Sequence, residues 1–143
     1  MTTADLGSDL VVHAARFVRA VRRELELPAL SRVLSLLDEH GPLGVSRLAE
    51  LDRCSQPTMS GAIAQLVERD WVTKAPNPDD ARGSLVALTD AGRAEIQRVR
   101  RIHGERVAEL VDAHPDLTTE DLATAVAVLR AILDNPGLSE GSK

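Results

Sequence analysis

Two short runs of helix-spaced apolar residues, about 45–53 and 56–69, stand end to end with only Cys54 and Ser55 between them. Val45, Leu48, Ala49 and Leu51 mark the first run, and Met59, Ala62, Ile63, Leu66 and Val67 the second. Ser55 is placed as an N-cap, and Pro57 falls in the first turn of the second helix, where a missing N–H costs little. The chain must therefore turn tightly between two short helices. Trp71-Val72-Thr73-Lys74-Ala75 then reads as a strand and Leu85-Val86-Ala87-Leu88 as its partner. The segment between them, Pro76 to Ser84, is rich in turn formers and charge and too long for a two-residue hairpin, so its tip is expected to project as a loop.

Amphipathic helices flank this centre. Leu6, Leu10, Ala14, Phe17, Val18, Val21 and Leu25 fall on one face of a helix over about 5–27, with Arg16, Arg19, Arg22 and Arg23 on much of the rest. Pro28 is expected to end it. A helix over about 29–40 carries Leu30, Val33, Leu34 and Leu37, with His40 suited to its C-terminal dipole and Gly41 to its cap. A long helix follows over about 90–113, capped by Thr89, and a last one over about 119–134. Thr118-Thr119-Glu120-Asp121 resembles a capping box, and Leu122, Val126, Leu129, Ile132 and Leu133 form the last stripe. Residues 135–143 read as a frayed tail. The 143 residues form one domain, mainly α with a small β-hairpin.

Composition removes several classes. One Phe, one Trp and no Tyr leave an aliphatic core, which suits helices, disfavours a β-sandwich and gives a single-strand-binding barrel no stacking platforms. A single cysteine excludes an intrachain disulfide framework and a Cys-rich zinc site, and His13, His40, His103 and His114 are too scattered to suggest a metal. No apolar run approaches the ~20 residues of a membrane span. The first residues lack a basic signal-peptide region, so the expected location is the cytoplasm. Arg98, Arg100, Arg101 and Arg106 alternate with Glu95, Glu105 and Glu109, the pattern of a salt-bridged solvated face. No nucleophile elbow, phosphate loop or carboxylate pair is present, so neither an enzyme nor a cofactor is expected. The net charge of −5 decides little: five acids and two bases lie in residues 115–143, and the remainder is at −2.

Two short helices and a hairpin with a charged loop make a winged helix-turn-helix, whose second helix enters the DNA major groove while the first braces it. On the face of 56–69 opposite its apolar stripe lie Pro57, Gly61, Ala64, Gln65 and Glu68, flanked by Thr58 and Ser60. Small side chains there admit close approach of the backbone, and Gln or Thr can hydrogen-bond base edges. The bland alternative is an amphipathic helix with a polar outer face.

Asp80-Ala81-Arg82 followed by Leu85, Leu88-Thr89 and Gly92 resembles the wing signature of the MarR family of bacterial transcription regulators. The run from Leu48-Ala49 through Ser55-Gln56-Pro57-Thr58-Met59-Ser60 to Leu66-Val67-Glu68-Arg69-Asp70-Trp71-Val72 matches as well, and the flanking helices fall in the family's order. The resemblance implies a regulator that binds double-stranded DNA. Arg82 would reach into the minor groove, a favourable place for a guanidinium where A·T-rich sequence narrows it, and Asp80 would hold the loop by pairing with arginine. The family often carries Arg or Lys after the serine, where this chain has Gly61, and no base follows until Arg69. Base readout then rests on Gln56, Thr58, Ser60 and Gln65, with thymine-methyl contacts at Pro57 or Ala64, and phosphate anchoring on Arg47, Arg53 and Lys74.

The broad apolar faces of 5–27 and 119–134 exceed what a small winged-helix core can cover, which marks an interface. In the family, the first and last helices interlock into a two-fold dimer, which here would use Leu6, Leu10, Phe17, Leu122, Val126, Leu129, Ile132 and Leu133. Such a homodimer reads a pseudo-palindromic operator with half-sites ~10 bp apart. The resemblance further implies a repressor relieved by a small lipophilic or phenolic effector, held here by an aliphatic-walled pocket because aromatics are so few. Some relatives sense peroxides through a cysteine in the first helix; here the one cysteine is Cys54, before the recognition helix, and a small buried side chain is its simpler reading. The rival readings are a winged-helix protein-interaction module and a redox- or metal-responsive regulator of the same fold.

Overall fold

Pro28 opens a helix rather than closing one. The first helix, α1 (Thr3–Arg23), ends with four residues still to run before it, the Glu24 N–H on the Val21 carbonyl and the Leu25 N–H on the Arg22 carbonyl. Pro28 is the first residue of α2 (Pro28–His40), where its fixed φ suits the helix and its absent N–H would have had no partner. The computed structural model describes residues 1–139, which divide into two compact units with the boundary between Arg100 and Arg101.

The first unit continues through β1 (Leu43–Gly44), α3 (Val45–Asp52), α4 (Gln56–Glu68), β2 (Val72–Asn77), β3 (Asp80–Leu88) and the first part of α5 (Asp90–Ala113). Gly41 caps α2 at φ 76°, its N–H on the Leu37 carbonyl at 2.9 Å. Arg53 closes α3 in the left-handed region at φ 53°, which produces the tight turn. Ser55 caps α4, its Oγ accepting the Thr58 N–H at 3.2 Å.

The core of this unit is aliphatic apart from Met59. Leu30, Val33, Leu34 and Leu37 of α2 meet Leu48 and Ala49 of α3, Met59, Ile63 and Leu66 of α4, Val72, Val86, and Ile96 of α5. Val67 belongs to the expected stripe but is 42% exposed. It lies in the last turn of α4, beside the edge of the stripe that Ile63 and Leu66 centre.

The sheet is antiparallel in the order β1-β3-β2. Two-residue β1, pairing Leu43 with Val86, is too short for any periodicity to reveal. The strands also run further than their apolar pattern: Asn77 pairs with Asp80, leaving only Pro78-Asp79 at the turn in place of the expected long loop. Pro76 is tolerated because β2 is an outer strand, where one edge needs no N–H. A register shift between Pro76 and Asn77, from Ser84 to Asp80, absorbs the extra residues of β3. Asn77 Oδ1 accepts the Asp79 N–H and Asp80 Oδ1 the Arg82 N–H, each at 3.0 Å, so both ends of the turn are locked by side chains.

The second unit holds the rest of α5, then α6 (Thr119–Leu133) and α7 (Pro136–Ser139). Thr118 and Asp121 form the reciprocal cap: Thr118 N–H to Asp121 Oδ2 at 2.9 Å and Asp121 N–H to Thr118 Oγ1 at 3.1 Å. α7 is a single helical turn where a frayed tail was expected; residues 140–143 of that tail lie outside the described residues. Neither α1 nor α6 buries a single residue.

Candidate nucleic-acid interface

The site is assembled on a braced helix pair. Arg32 Nε of α2 donates to Asp52 Oδ1 at the end of α3 at 3.0 Å, with the Asp52 carboxylate only 12% exposed. This bond fixes α3 just before the Arg53 turn that launches α4. The apolar side of α4 is consumed by the core through Met59, Ile63 and Leu66, and its other side is left outward. Gln56, Pro57, Thr58, Ser60, Gly61, Ala64, Gln65 and Glu68 are all exposed, as the helical wheel requires. A Cβ built on Gly61 would meet nothing within 4 Å, so no packing demand explains the glycine.

Between the start of α3, the start of α4 and the hairpin runs a polar groove. Arg47, Gln56, Ser60, Asp80 and Arg82, all singled out from sequence, line it together. Ser46, Asn77 and Ser84 line it too, and no local pattern marks them out. Arg82 is exposed near the hairpin tip. Asp80 braces it through the main chain, by the Arg82 N–H, where the resemblance implied a pairing with arginine. Arg47 pairs with Glu50 at 3.0 Å, an exposed bond that a phosphate can displace. Arg53 and Lys74 are exposed beyond the groove, on the turn and on β2. Cys54 is half-buried against the core, and its N–H bonds the Ala49 carbonyl. Among the described residues no three of His, Cys, Asp and Glu gather as a metal would need.

A second feature of the first unit is a cavity of about 190 Å³ between the α1–α2 connection, α2, Trp71 and the start of α5. Leu25, Leu27, Leu34 and Val99 give it apolar walls, but Glu26, Arg69, Glu95 and Arg98 line it as well. The chain's one Trp faces it, with the Arg69 guanidinium 5.3 Å from the ring centroid. Arg98 donates to both Glu95 oxygens, at 2.6 and 2.9 Å, which raises its pKa. Aliphatic, aromatic and charged side chains thus line this cavity together.

A braced pair of short helices, the second with small and polar residues outward, and a hairpin carrying an arginine near its tip define a winged helix-turn-helix transcription regulator. Comparisons sharpen this. The MarR family model matches residues 28–84. An uncharacterised HTH-type transcriptional regulator of Mycobacterium leprae is 31% identical over 111 residues, covering 74% of this chain and 77% of the relative. The multiple antibiotic resistance protein MarR of Escherichia coli is 35% identical over 77 residues, 51% of this chain and 49% of that one. The chain belongs to the MarR family. Among solved structures, a putative transcriptional regulator of Pseudomonas aeruginosa superposes with TM-score 0.74 at 19% identity over 94% of this chain and 99% of the other. A cysteine-to-serine variant of E. coli MarR, complexed with operator DNA, does so at 0.56 and 24% identity over 91% and 92%. At these identities the superpositions speak for the fold. No helix among the described residues is long and apolar enough to cross a membrane.

Proposed function

We propose that the chain is a cytoplasmic homodimeric repressor that binds a pseudo-palindromic double-stranded operator and is released by a small molecule. The observation that carries the reading is the groove that gathers Arg47, Gln56, Ser60 and Arg82 on one face, at the mouth of a helix whose outward side is small and polar. With α4 in the major groove, Gln56, Thr58, Ser60 and Gln65 meet base edges, and Pro57 and Ala64 can touch a thymine methyl. Arg82 enters the adjacent minor groove, while Arg47, Arg53 and Lys74 take phosphates. A relative of the same fold complexed with operator DNA supports the choice of partner.

The segment from α2 to β3 is the DNA-binding lobe. The apolar stripes of α1 and α6 supply the dimer: Leu6, Phe17, Val126, Leu129, Ile132 and Leu133 are each 40% or more exposed in the single chain, and Leu10 is 38%. The charged and aromatic cavity beside Trp71 is the place for the effector. A ligand that combines an aromatic ring with a charged group suits Trp71, Arg69 and Glu26 better than a purely lipophilic one. Release follows if that ligand favours a dimer whose recognition helices are wrongly spaced.

A mobility-shift titration with the DNA upstream of the protein's own gene, against random-sequence competitor, tests the reading. Specific binding that weakens steeply with salt supports it. A folded dimer whose binding ignores salt would instead be an interaction module.

A further inference from the structure

The outward side of α4 offers base edges few groups that discriminate. It carries no cation from Gln56 to Glu68, and Gly61 contributes no side chain. Ser55 Oγ donates to the Thr58 hydroxyl at 2.9 Å while accepting the Thr58 N–H, so Thr58 is engaged at the cap and keeps only its single hydroxyl group for a base edge. In the first two turns, Gln56 is the residue whose planar group carries a donor and an acceptor side by side.

Gln56 is also held. Its Nε2 donates to Ser46 Oγ at 3.0 Å, and Ser46 lies ten residues earlier, in the first turn of α3. Both line the groove that holds Arg82. A long, flexible side chain tied in one rotamer loses less freedom when it binds than one that swings freely.

We propose that Gln56 is the specificity-determining residue of the recognition helix and that Ser46 is its positioning residue. This rests on the reading of α4 as the major-groove helix. The Ser46 hydroxyl takes one Nε2 hydrogen and leaves Oε1 and the second N–H free in one plane. That acceptor and donor match N6 and N7 of adenine, so each half-site carries one position read as adenine by Gln56.

Selection from a randomised duplex pool, with sequencing of the bound fraction, tests this whatever the operator sequence is. The wild type, Gln56→Ala, Ser46→Ala and Ser46→Thr are compared, each checked for fold by circular dichroism. The wild type is expected to prefer adenine at one position per half-site by roughly 5- to 100-fold. Gln56→Ala abolishes that preference, Ser46→Ala lowers it several-fold at the same position alone, and Ser46→Thr, which keeps the hydroxyl, restores it. An unchanged preference in Ser46→Ala overturns the proposal. So does a loss of affinity that is uniform across sequences, which would make Ser46 a phosphate contact. If the wild type enriches no sequence at all, the reading of α4 as a base-reading helix falls with it.

Discussion

The carbonyl oxygen of Trp71 occupies the space that a Cβ on Gly92 would need: the two atoms would stand 2.0 Å apart. The first turn of α5 is thereby packed against the segment that joins α4 to β2. Thr89 completes the junction, its N–H on the Trp71 carbonyl at 3.0 Å, its hydroxyl on the Asp70 carbonyl, and its Oγ1 accepting the Gly92 N–H at 3.0 Å. Thr89 and Gly92 thus fasten the end of the wing to the end of the recognition helix.

Gly92→Ala should therefore destabilise the chain by roughly 1–3 kcal/mol or more, since backbone rather than a flexible side chain must give way. Urea denaturation followed by circular dichroism measures it. Gly61→Ala, with open space around the new methyl and a better helix former, should be neutral or stabilising in the same assay.

The Arg32–Asp52 bond ties α2 to the end of α3. A double-mutant cycle with Arg32→Ala and Asp52→Ala should give a coupling of about 1 kcal/mol, held down because the Arg32 side chain is 40% exposed. Weaker DNA binding in both single variants, with the salt slope unchanged, is the expected second readout.

Asp5 and Asp121 each accept the backbone N–H and the hydroxyl of the capping threonine, Thr2 and Thr118, and these bonds hold both carboxyls below their ordinary pKa of 3.8. A pKa lower in the folded chain than in the unfolded one favours folding above the ordinary carboxylate pKa, and this contribution fades as pH falls through the lowered value. The caps of α1 and α6 should consequently weaken as the pH falls through those lowered values. An NMR titration of the two carboxyl carbons should find midpoints below those of exposed aspartates; ordinary midpoints would mean that the caps do not hold in solution.

No residue of α6 is buried in the single chain. Sedimentation of the wild type should give twice the 15.4 kDa chain mass, and Leu129→Glu combined with Phe17→Glu should give the single mass with the first unit still folded. A monomeric wild type would refute the dimer.

Much of this was legible in the residues because local signals agreed. Ser55 and Pro57 mark the start of α4, Thr118 with Asp121 the start of α6, and the apolar spacing of α2 and α4 identifies seven of the twelve residues of the buried core cluster. What escaped was non-local. β1 exists only because β3 lies beside it, and the strands reach Asn77 and Asp80 because a register shift and two side-chain-locked bends absorb residues that look like loop. The same holds at the site. Gln56 stands out on the helical wheel, but Ser46, ten residues away on another helix, acquires its meaning only when the turn at Arg53 brings them together. Pro28 misled for a different reason, since a proline ends one helix and begins the next equally well.

The groove and the wing are expected to hold DNA together. Fluorescence anisotropy of a pool-selected duplex, measured with wild type and Arg82→Ala across a range of salt, is the most direct test. The prediction is tight binding by the wild type, a loss on the order of 10- to 100-fold for Arg82→Ala concentrated on A·T-rich flanks, and a salt slope shallower by about 1 per protomer. Equal affinities and equal slopes would contradict it, leaving Arg82 a solvated arginine on a hairpin that plays no part in holding DNA.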